Sequence, residues 1–183
     1  MVPLHAFTYA DYVALEGHSP VRHEFVAGEI YAKAGGTPEH AALAATVLRM
    51  IGNQLPAGCR TYTSDLRVRI EASNVTTYPD GAVICGKVVP ATDDPLAATN
   101  PLVLVEVTSP STEAYDRGLK CDQYKLLASL RHVVIVAHAR RSVTVLSRAG
   151  EGWTEETLDD QGEVVLAGLG VRIELAAVYE DLA

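Results

Sequence analysis

A glutamate inside an otherwise apolar, strand-like run constrains this chain more than any other feature. Residues 102–108 read LVLVEVT. Side chains alternate along a strand, so Val103, Val105 and Val107 point to one face while Glu106 points to the other. Burying an unpaired carboxylate is costly. We therefore expect Glu106 to lie at an open strand end, to pair with a cation or to bind a metal.

A second acid stands earlier in the chain. Asp80 follows Pro79 and precedes an apolar segment, residues 82–85, that predicts a second short strand. If the two strands are neighbours, Asp80 and Glu106 converge on one hard cation through oxygen ligands. Proline, aspartate and glycine in succession are also an ordinary turn signal, so a plain turn remains open as the alternative at Asp80.

A helix is predicted directly after the acidic strand, over residues 111–130 with Ser111 as its N-cap. Asp116, Lys120 and Tyr124 form one stripe along it. A lysine two turns into this helix can reach back over the strand end. Aspartate four residues before lysine equally fits a solvated surface ion pair. Two strand carboxylates with a helical lysine are typical of a divalent-metal site that cuts phosphodiesters.

The same residues resemble the signature of a known family. The matching strings are RHEFVAGEI at 22–30, PEH at 38–40, SDLRV at 64–68, YPD at 78–80, EVTSPST at 106–112 and YDRG at 115–118, followed by Lys120 and Tyr124. With them the chain resembles the Uma2 family, of the restriction-endonuclease-like PD-(D/E)xK superfamily, from Tyr9 to Leu182.

The resemblance implies an α/β fold with a restriction-endonuclease-like core, a mixed central sheet flanked by helices. It implies that Asp80 and Glu106 hold Mg²⁺ or Mn²⁺. The superfamily usually places a lysine two residues after the second acid, where this chain has Thr108, and Lys120 is the natural replacement. Its implied role is to orient or deprotonate the attacking water, or to neutralise charge in the transition state.

Further site candidates follow from the resemblance and from the helical stripe. Glu24 precedes the first hairpin and adds a carboxylate. His40 stands near the start of the second predicted helix, where it can contact a phosphate or water, although a histidine at a helix start is otherwise a surface or packing residue. Thr108 and Tyr124 complete the set through their positions beside Glu106 and Lys120.

Composition indicates one globular domain over residues 1–183, with 48% hydrophobic residues. The sequence shows neither an apolar run of about 20 residues nor a basic N-terminal segment before an apolar stretch, so we expect a cytoplasmic protein without a membrane partner. Its three cysteines, Cys59, Cys85 and Cys121, are widely and irregularly spaced, which predicts reduced thiols.

The formal net charge of −8 weighs against a long duplex DNA substrate. The basic residues nevertheless concentrate centrally, and we expect them to form a local basic rim around the acidic site. They are Arg67, Arg69, Arg117, Lys120, Lys125, Arg131, Arg140 and Arg141.

Local patterns predict the remaining elements. They are a helix over 8–15 capped by Thr8, a hairpin over 25–34 around Ala27 and Gly28, a helix from Pro38 to Leu55, a strand over 61–70 with Arg67 and Arg69 outward, a loop over 87–100, strands near 133–137, 142–147 and 166–175, and a closing helix over 175–182.

The leading hypothesis is a magnesium-dependent endonuclease acting on nucleic acid, with DNA favoured. The alternative is a non-catalytic nucleic-acid-binding or scaffold protein that keeps the nuclease fold, and a third is a hydrolase of another phosphodiester or a small nucleotide. By analogy with nucleases that cut both strands, we expect a homodimer.

Overall fold

The computed structural model describes residues 6–33, 35–109 and 113–180. The strands are β1 His23–Val26, β2 Glu29–Ala32, β3 Cys59–Thr63, β4 Arg67–Ile70, β5 Val75–Thr77, β6 Gly81–Cys85, β7 Ala97–Ala98, β8 Val103–Thr108, β9 His132–Ala137, β10 Ser142–Ala149, β11 Gly152–Asp159, β12 Glu163–Leu166 and β13 Val171–Glu174. The helices are α1 Tyr9–Glu16, α2 Pro38–Gly52, α3 Glu113–Tyr115, α4 Cys121–Tyr124 and α5 Leu175–Val178. A 3₁₀ turn spans Glu71–Ser73, and a π-helical turn spans Asp116–Lys120.

A mixed six-stranded sheet carries the acidic strand at its centre. Its order is β11-β10-β9-β8-β6-β3, and only the β8–β9 pair is parallel. A five-stranded sheet of order β2-β1-β5-β4-β7 lies beside it, and β12 pairs with β13 in a separate hairpin. The expected α/β class with a mixed central sheet flanked by helices is therefore confirmed.

Strand alternation in β8 divides the core as the sequence predicts. Val103, Val105 and Val107 pack into the cluster that contains the buried face of α2. Leu104 packs into a second cluster, with Tyr124. Glu106 alternates with the valines and is buried. The acid is thus carried into the interior by its strand.

Helix caps explain where the first two helices begin. The Thr8 side chain accepts a hydrogen bond from the Asp11 N–H, and the Asp11 carboxylate accepts one from the Thr8 N–H, which is a capping box. The Thr37 side chain caps α2 by accepting a hydrogen bond from the His40 N–H, and Pro38 stands in the first turn. The predicted starts are confirmed, and His40 is held at a defined position.

The hairpin is also confirmed, with a turn that demands unusual backbone geometry. Ala27 and Gly28 both have positive φ, at 49° and 102°. This combination suits a two-residue hairpin turn. The hairpin places Glu24 in β1 and ends beside Lys33.

Two predicted elements are wrong. Residues 61–70 form two strands, β3 and β4, and all four β4 side chains are buried, including Arg67 and Arg69, which were expected to face outward. The single helix predicted over 111–130 is instead a short α segment, the π turn and a second short α segment ending at Tyr124. The proposed cap Ser111 lies outside the described residues.

The expectation of three reduced cysteines is wrong for one pair. Cys59 and Cys85 stand opposite each other in the β3–β6 register and are joined by a disulfide. Cys121 is a buried free thiol. Spacing along the chain carried no sign of this pairing, because strand register created it.

Within the described parts of the chain, every helix is too short or too polar to cross a bilayer.

Candidate functional site

A cleft of about 1010 Å³ opens where the β1–β2 hairpin, α2, the acidic strand ends and the π turn meet. Five predicted site residues line it: Glu24, His40, Asp80, Glu106 and Lys120. They come from five separate elements or connections spread over almost a hundred residues of sequence. The fold therefore brings the predicted groups into one concave site.

Strand register sets the spacing of the two acids. In the antiparallel β6–β8 pair, Gly81 is opposite Val105. Continuing that register by one residue places Asp80 opposite Glu106. The Val107 N–H donates to Asp80 Oδ2 at 2.9 Å, which ties the two strands together at this point. The turn interpretation of Asp80 accounts for its bend but not for this long-range contact.

Asp80 is buried among donors from three elements. His40 Nε2 lies 3.2 Å from Asp80 Oδ2, and Lys33 Nζ lies 3.4 Å from Asp80 Oδ1. Burial by itself raises the pKa of the Asp80 carboxyl, but the His40 hydrogen bond, the Lys33 charge and the Val107 N–H outweigh it and set the pKa at about 2. Asp80 is thus ionised at neutral pH. Its hydrogen bond also raises the pKa of His40, although burial of the ring opposes this.

Glu106 is paired with Lys120 at the centre of the site. Lys120 Nζ lies 3.0 Å from Glu106 Oε1, and the Tyr124 hydroxyl donates a short hydrogen bond to the same oxygen. The Tyr124 hydroxyl is also 3.0 Å from Thr77 Oγ1. A buried charge is tolerable only with such partners, and Glu106 has a cation and a hydroxyl.

Lys120 is surrounded by carboxylates. Besides Glu106, its ammonium lies 3.4 Å from Glu24 Oε1 and 3.8 Å from Asp116 Oδ1, and its side chain is only 6% exposed. The interpretation of Asp116 and Lys120 as a solvated surface pair is therefore wrong. The π turn widens the helix at this point and presents both side chains inward.

The pKa values of Lys120 and Glu106 are set by different balances of burial and neighbouring charge. Burial lowers the pKa of Lys120, yet the three surrounding carboxylates and Tyr124 raise it well above its usual range. Burial raises the pKa of Glu106, Asp80 and Asp116 raise it further, and Lys120 only partly opposes them. Lys120 therefore remains an ammonium at neutral pH, and Glu106 takes up a proton more readily than Asp80 does.

Tyr78 links the site to a deeper ionic network. Its N–H donates to Glu24 Oε1 at 3.3 Å, and its carbonyl accepts from Lys33 Nζ at 2.6 Å. Its hydroxyl donates to Glu16 at 2.6 Å and accepts from Arg67 Nε at 2.9 Å. Tyr78, two residues before Asp80, is thereby held by hydrogen bonds at both its backbone and its side chain.

Lys33 is the cleft residue that sequence reasoning missed. It follows β2 and stands shortly before two consecutive glycines, a context without any helical or strand pattern that would mark it. Only the packing of the hairpin against residues 78–80 brings its amine to Asp80. Its side chain is 23% exposed, considerably more than that of Lys120.

Apart from Lys120, the basic residues of the predicted rim and Thr108 do not lie where the sequence predicts them relative to the cleft. The predicted basic rim is wrong: among the described cleft residues the Lys and Arg side chains are Arg22, Lys33 and Lys120. Arg67 instead pairs with Asp94, and Arg69 with Asp93. Thr108 is buried in β8 and is not among the cleft-lining residues.

The donor chemistry determines which metal the cleft suits. Over residues 6–33, 35–109 and 113–180, no three His, Cys, Asp or Glu side chains gather closely enough to form a metal cage. Asp80, directly before β6, and Glu106 in β8 nevertheless supply two hard carboxylates to the cleft. Mg²⁺ binds through one or two carboxylates while keeping waters and substrate phosphate oxygens, so this pair fits that mode.

Comparisons with known proteins show the family and the fold of this chain. The Uma2 family model, described as "Putative restriction endonuclease", matches residues 9–178. Two Synechocystis sp. proteins are similar: Uncharacterized protein slr1290, 29% identical over 94% of this chain and 91% of its own, and Uncharacterized protein sll1609, 30% identical over 70% and 73%. The crystal structure of "a putative nuclease belonging to DUF820" from Anabaena variabilis has a TM-score of 0.74 at 15% identity, covering 97% of this chain and 98% of its own.

Proposed function

Since the chain belongs to the Uma2 family, we propose that it is a magnesium-dependent endonuclease that hydrolyses phosphodiester bonds of nucleic acid, with DNA as the favoured substrate. One observation carries the proposal. Asp80 directly precedes β6, and continuing the β6–β8 register by one residue sets it opposite Glu106; the Lys120 ammonium lies 3.0 Å from Glu106. Carboxylates and a cation in one cleft are the parts that phosphodiester hydrolysis requires.

The metal would be held by Asp80 and Glu106. When bound, Mg²⁺ or Mn²⁺ lowers the pKa of a coordinated water and neutralises charge on the phosphate. Asp80 is ready as a ligand at neutral pH, because its pKa is about 2. Glu106 must be ionised to join it, so the raised pKa of this carboxyl couples metal binding to proton release.

Lys120 would act as a fixed positive charge. Its pKa lies well above the usual range, so it does not deprotonate water at neutral pH. It holds Glu106 and Glu24 in place and offsets negative charge near the reacting phosphate. Of the three roles implied by family resemblance, the raised pKa of Lys120 disfavours deprotonation of the water and is compatible with orienting the water and with neutralising charge.

His40 and Lys33 would act on the Asp80 side of the cleft. Both contact the Asp80 carboxylate, and both belong to the cleft lining. His40, with a raised pKa, can donate a proton or a hydrogen bond to a phosphate oxygen. Lys33 supplies a partly exposed ammonium for the same purpose.

The test is cleavage of plasmid and single-stranded DNA in Mg²⁺, Mn²⁺ or EDTA by the wild type and by Asp80→Asn. We expect metal-dependent cleavage that the substitution abolishes. Asp122→Asn is the matched control, because Asp122 pairs with Lys125 on the surface and is outside the cleft lining. Equal cleavage by the wild type and Asp80→Asn would refute the assignment.

A non-catalytic nucleic-acid-binding or scaffold role is the second candidate. The observation favouring it is the enclosure of the Lys120 ammonium by three carboxylates, together with a threonine at the superfamily's usual lysine position. Binding of nucleic acid without any metal-dependent cleavage would support this role over the first.

The proposal also includes a cytoplasmic homodimer, the assembly expected for a nuclease that cuts both strands. Light scattering during size-exclusion chromatography would measure the mass of the particle. A monomer at working concentration would remove the dimer from the proposal without affecting the chemistry of the cleft.

A further inference from the structure

The exposed tyrosines of this chain are gathered at the cleft. Eight tyrosines occur in the sequence, and all lie within the described residues. Six are buried or partly buried. The remaining two, Tyr31 at 50% exposure and Tyr115 at 38%, both line the same cleft as Asp80 and Glu106. Scattered exposed rings need no explanation, but two that line one cleft supply aromatic surface beside the proposed chemistry.

The two rings come from separate elements. Tyr31 lies in β2, at the edge of the five-stranded sheet, and its hydroxyl donates a short hydrogen bond to Glu29. Tyr115 ends α3 immediately before the π turn that carries Asp116 and Lys120. A polymer lying in the cleft would therefore meet an aromatic ring on the hairpin and another on the helical segment.

The charges of the cleft do not suit two phosphate backbones. Among the described residues that line it, three are Lys or Arg and four are Asp or Glu. Lys120 is enclosed by carboxylates, and Arg22 pairs with Asp65. Proteins that grip duplex DNA usually neutralise several phosphates from a basic surface. Here Lys33 is the more exposed of the two lysines in the lining.

We infer that the cleft takes an unpaired nucleic-acid strand, with bases stacked on Tyr31 and Tyr115 and a phosphate near Lys33. Base stacking on aromatic rings requires bases that are free of a partner strand, and it tolerates any base because each has a π face. The inference deepens the proposed nuclease function and rests on it for the expectation that the bound strand is cleaved. Strand binding itself does not require cleavage.

Binding is measured with the full chain in EDTA, by fluorescence anisotropy of a short labelled oligonucleotide. Single-stranded DNA and RNA of one sequence are compared with the corresponding duplex. We expect tighter binding of the single strands. Tyr31→Ala and Tyr115→Ala should each weaken it by about 5- to 150-fold, the effect of removing a ring that stacks on a base.

Control variants separate stacking from other effects. Tyr31→Phe and Tyr115→Phe keep the ring and should bind within about twofold of the wild type. Phe7→Ala removes an aromatic ring that is 52% exposed but is outside the cleft lining, and it should not change binding. Matching thermal unfolding curves would establish that every variant is folded.

The outcomes distinguish this inference from the nuclease proposal. Duplex binding as tight as single-strand binding, or alanine variants that bind normally, would overturn the unpaired-strand inference even if DNA were cleaved. Tyrosine-dependent binding of single strands without metal-dependent cleavage would uphold it and refute the nuclease. Cleavage restricted to single strands and lost in the alanine variants would support both.

Discussion

The Lys120 ammonium lies 3.0 Å from the Glu106 carboxylate, and both side chains are buried. Removing one partner of a buried pair leaves an uncompensated charge. We expect Lys120→Met to lower the free energy of unfolding by about 3–5 kcal/mol, measured by urea denaturation. Lys125→Met, at a partly exposed pair with Asp122, should change it by about 1 kcal/mol or less. Equal stability of the two variants would show that Lys120 is not structurally required.

Tyr124 is expected to stabilise the same carboxylate. Tyr124→Phe removes the hydroxyl that donates to Glu106 and leaves Thr77 without this contact. A hydrogen bond to a charged group contributes about 1.5–3 kcal/mol, and we expect a loss of that size in chemical denaturation. Tyr31→Phe is the control: it also removes a hydroxyl that donates to a carboxylate, that of Glu29, but at an exposed position, so it should change stability far less than Tyr124→Phe does. A neutral Tyr124→Phe would mean that water replaces the hydroxyl.

Gly81 allows α2 to approach the strand that follows Asp80. A Cβ at this position would lie 2.4 Å from Leu48 Cδ2 and 2.9 Å from Leu48 Cγ. Gly81→Ala should therefore destabilise the protein by about 1–3 kcal/mol through overpacking. Gly118→Ala is the control, because open space surrounds Gly118 and alanine favours helix.

A double variant tests the cause of that destabilisation. Leu48→Ala removes the side chain that the new methyl group meets. The combined Gly81→Ala and Leu48→Ala variant should lose less stability than the sum of the single variants. If the losses of stability are additive, contact between the new methyl group and Leu48 is not the cause of the destabilisation.

Thiol labelling tests the cysteine assignments and their pH dependence. Burial, with Glu106 next in effect, raises the pKa of Cys121 to about 12, whereas an unfolded thiol ionises near pH 8.5. Alkylation proceeds through the thiolate, so folded Cys121 should resist iodoacetamide at about pH 8 and react only as the pH approaches the raised pKa. Mass spectrometry reports the labels.

The expected label counts follow from the single disulfide. Native protein should take none, urea-unfolded protein one, at Cys121, and reduced unfolded protein three. Labelling of Cys59 or Cys85 without reductant would contradict the cross-strand bond.

Local sequence determined the elements whose signals are short-range. The Thr8 cap, the helix start at Pro38, the Ala27–Gly28 turn and the alternation of β8 each depend on a few neighbouring residues, and each forms where the local pattern predicts it. The apolar neighbours of Glu106 in the sequence likewise indicate a paired or ligating acid, because a charge in an apolar strand needs a partner.

Only the tertiary structure determined which partners those are. Lys33 and His40 reach Asp80, Arg67 and Arg69 enter the interior beside Asp94 and Asp93, and Cys59 meets Cys85, through strand registers and packing between segments tens of residues apart. The π turn likewise depends on tertiary contacts that turn Asp116 and Lys120 inward. The sequence by itself determined the acidic strand, the starts of α1 and α2 and the hairpin turn, whereas the cleft exists only because long-range pairing, which leaves no local pattern, brings these elements together.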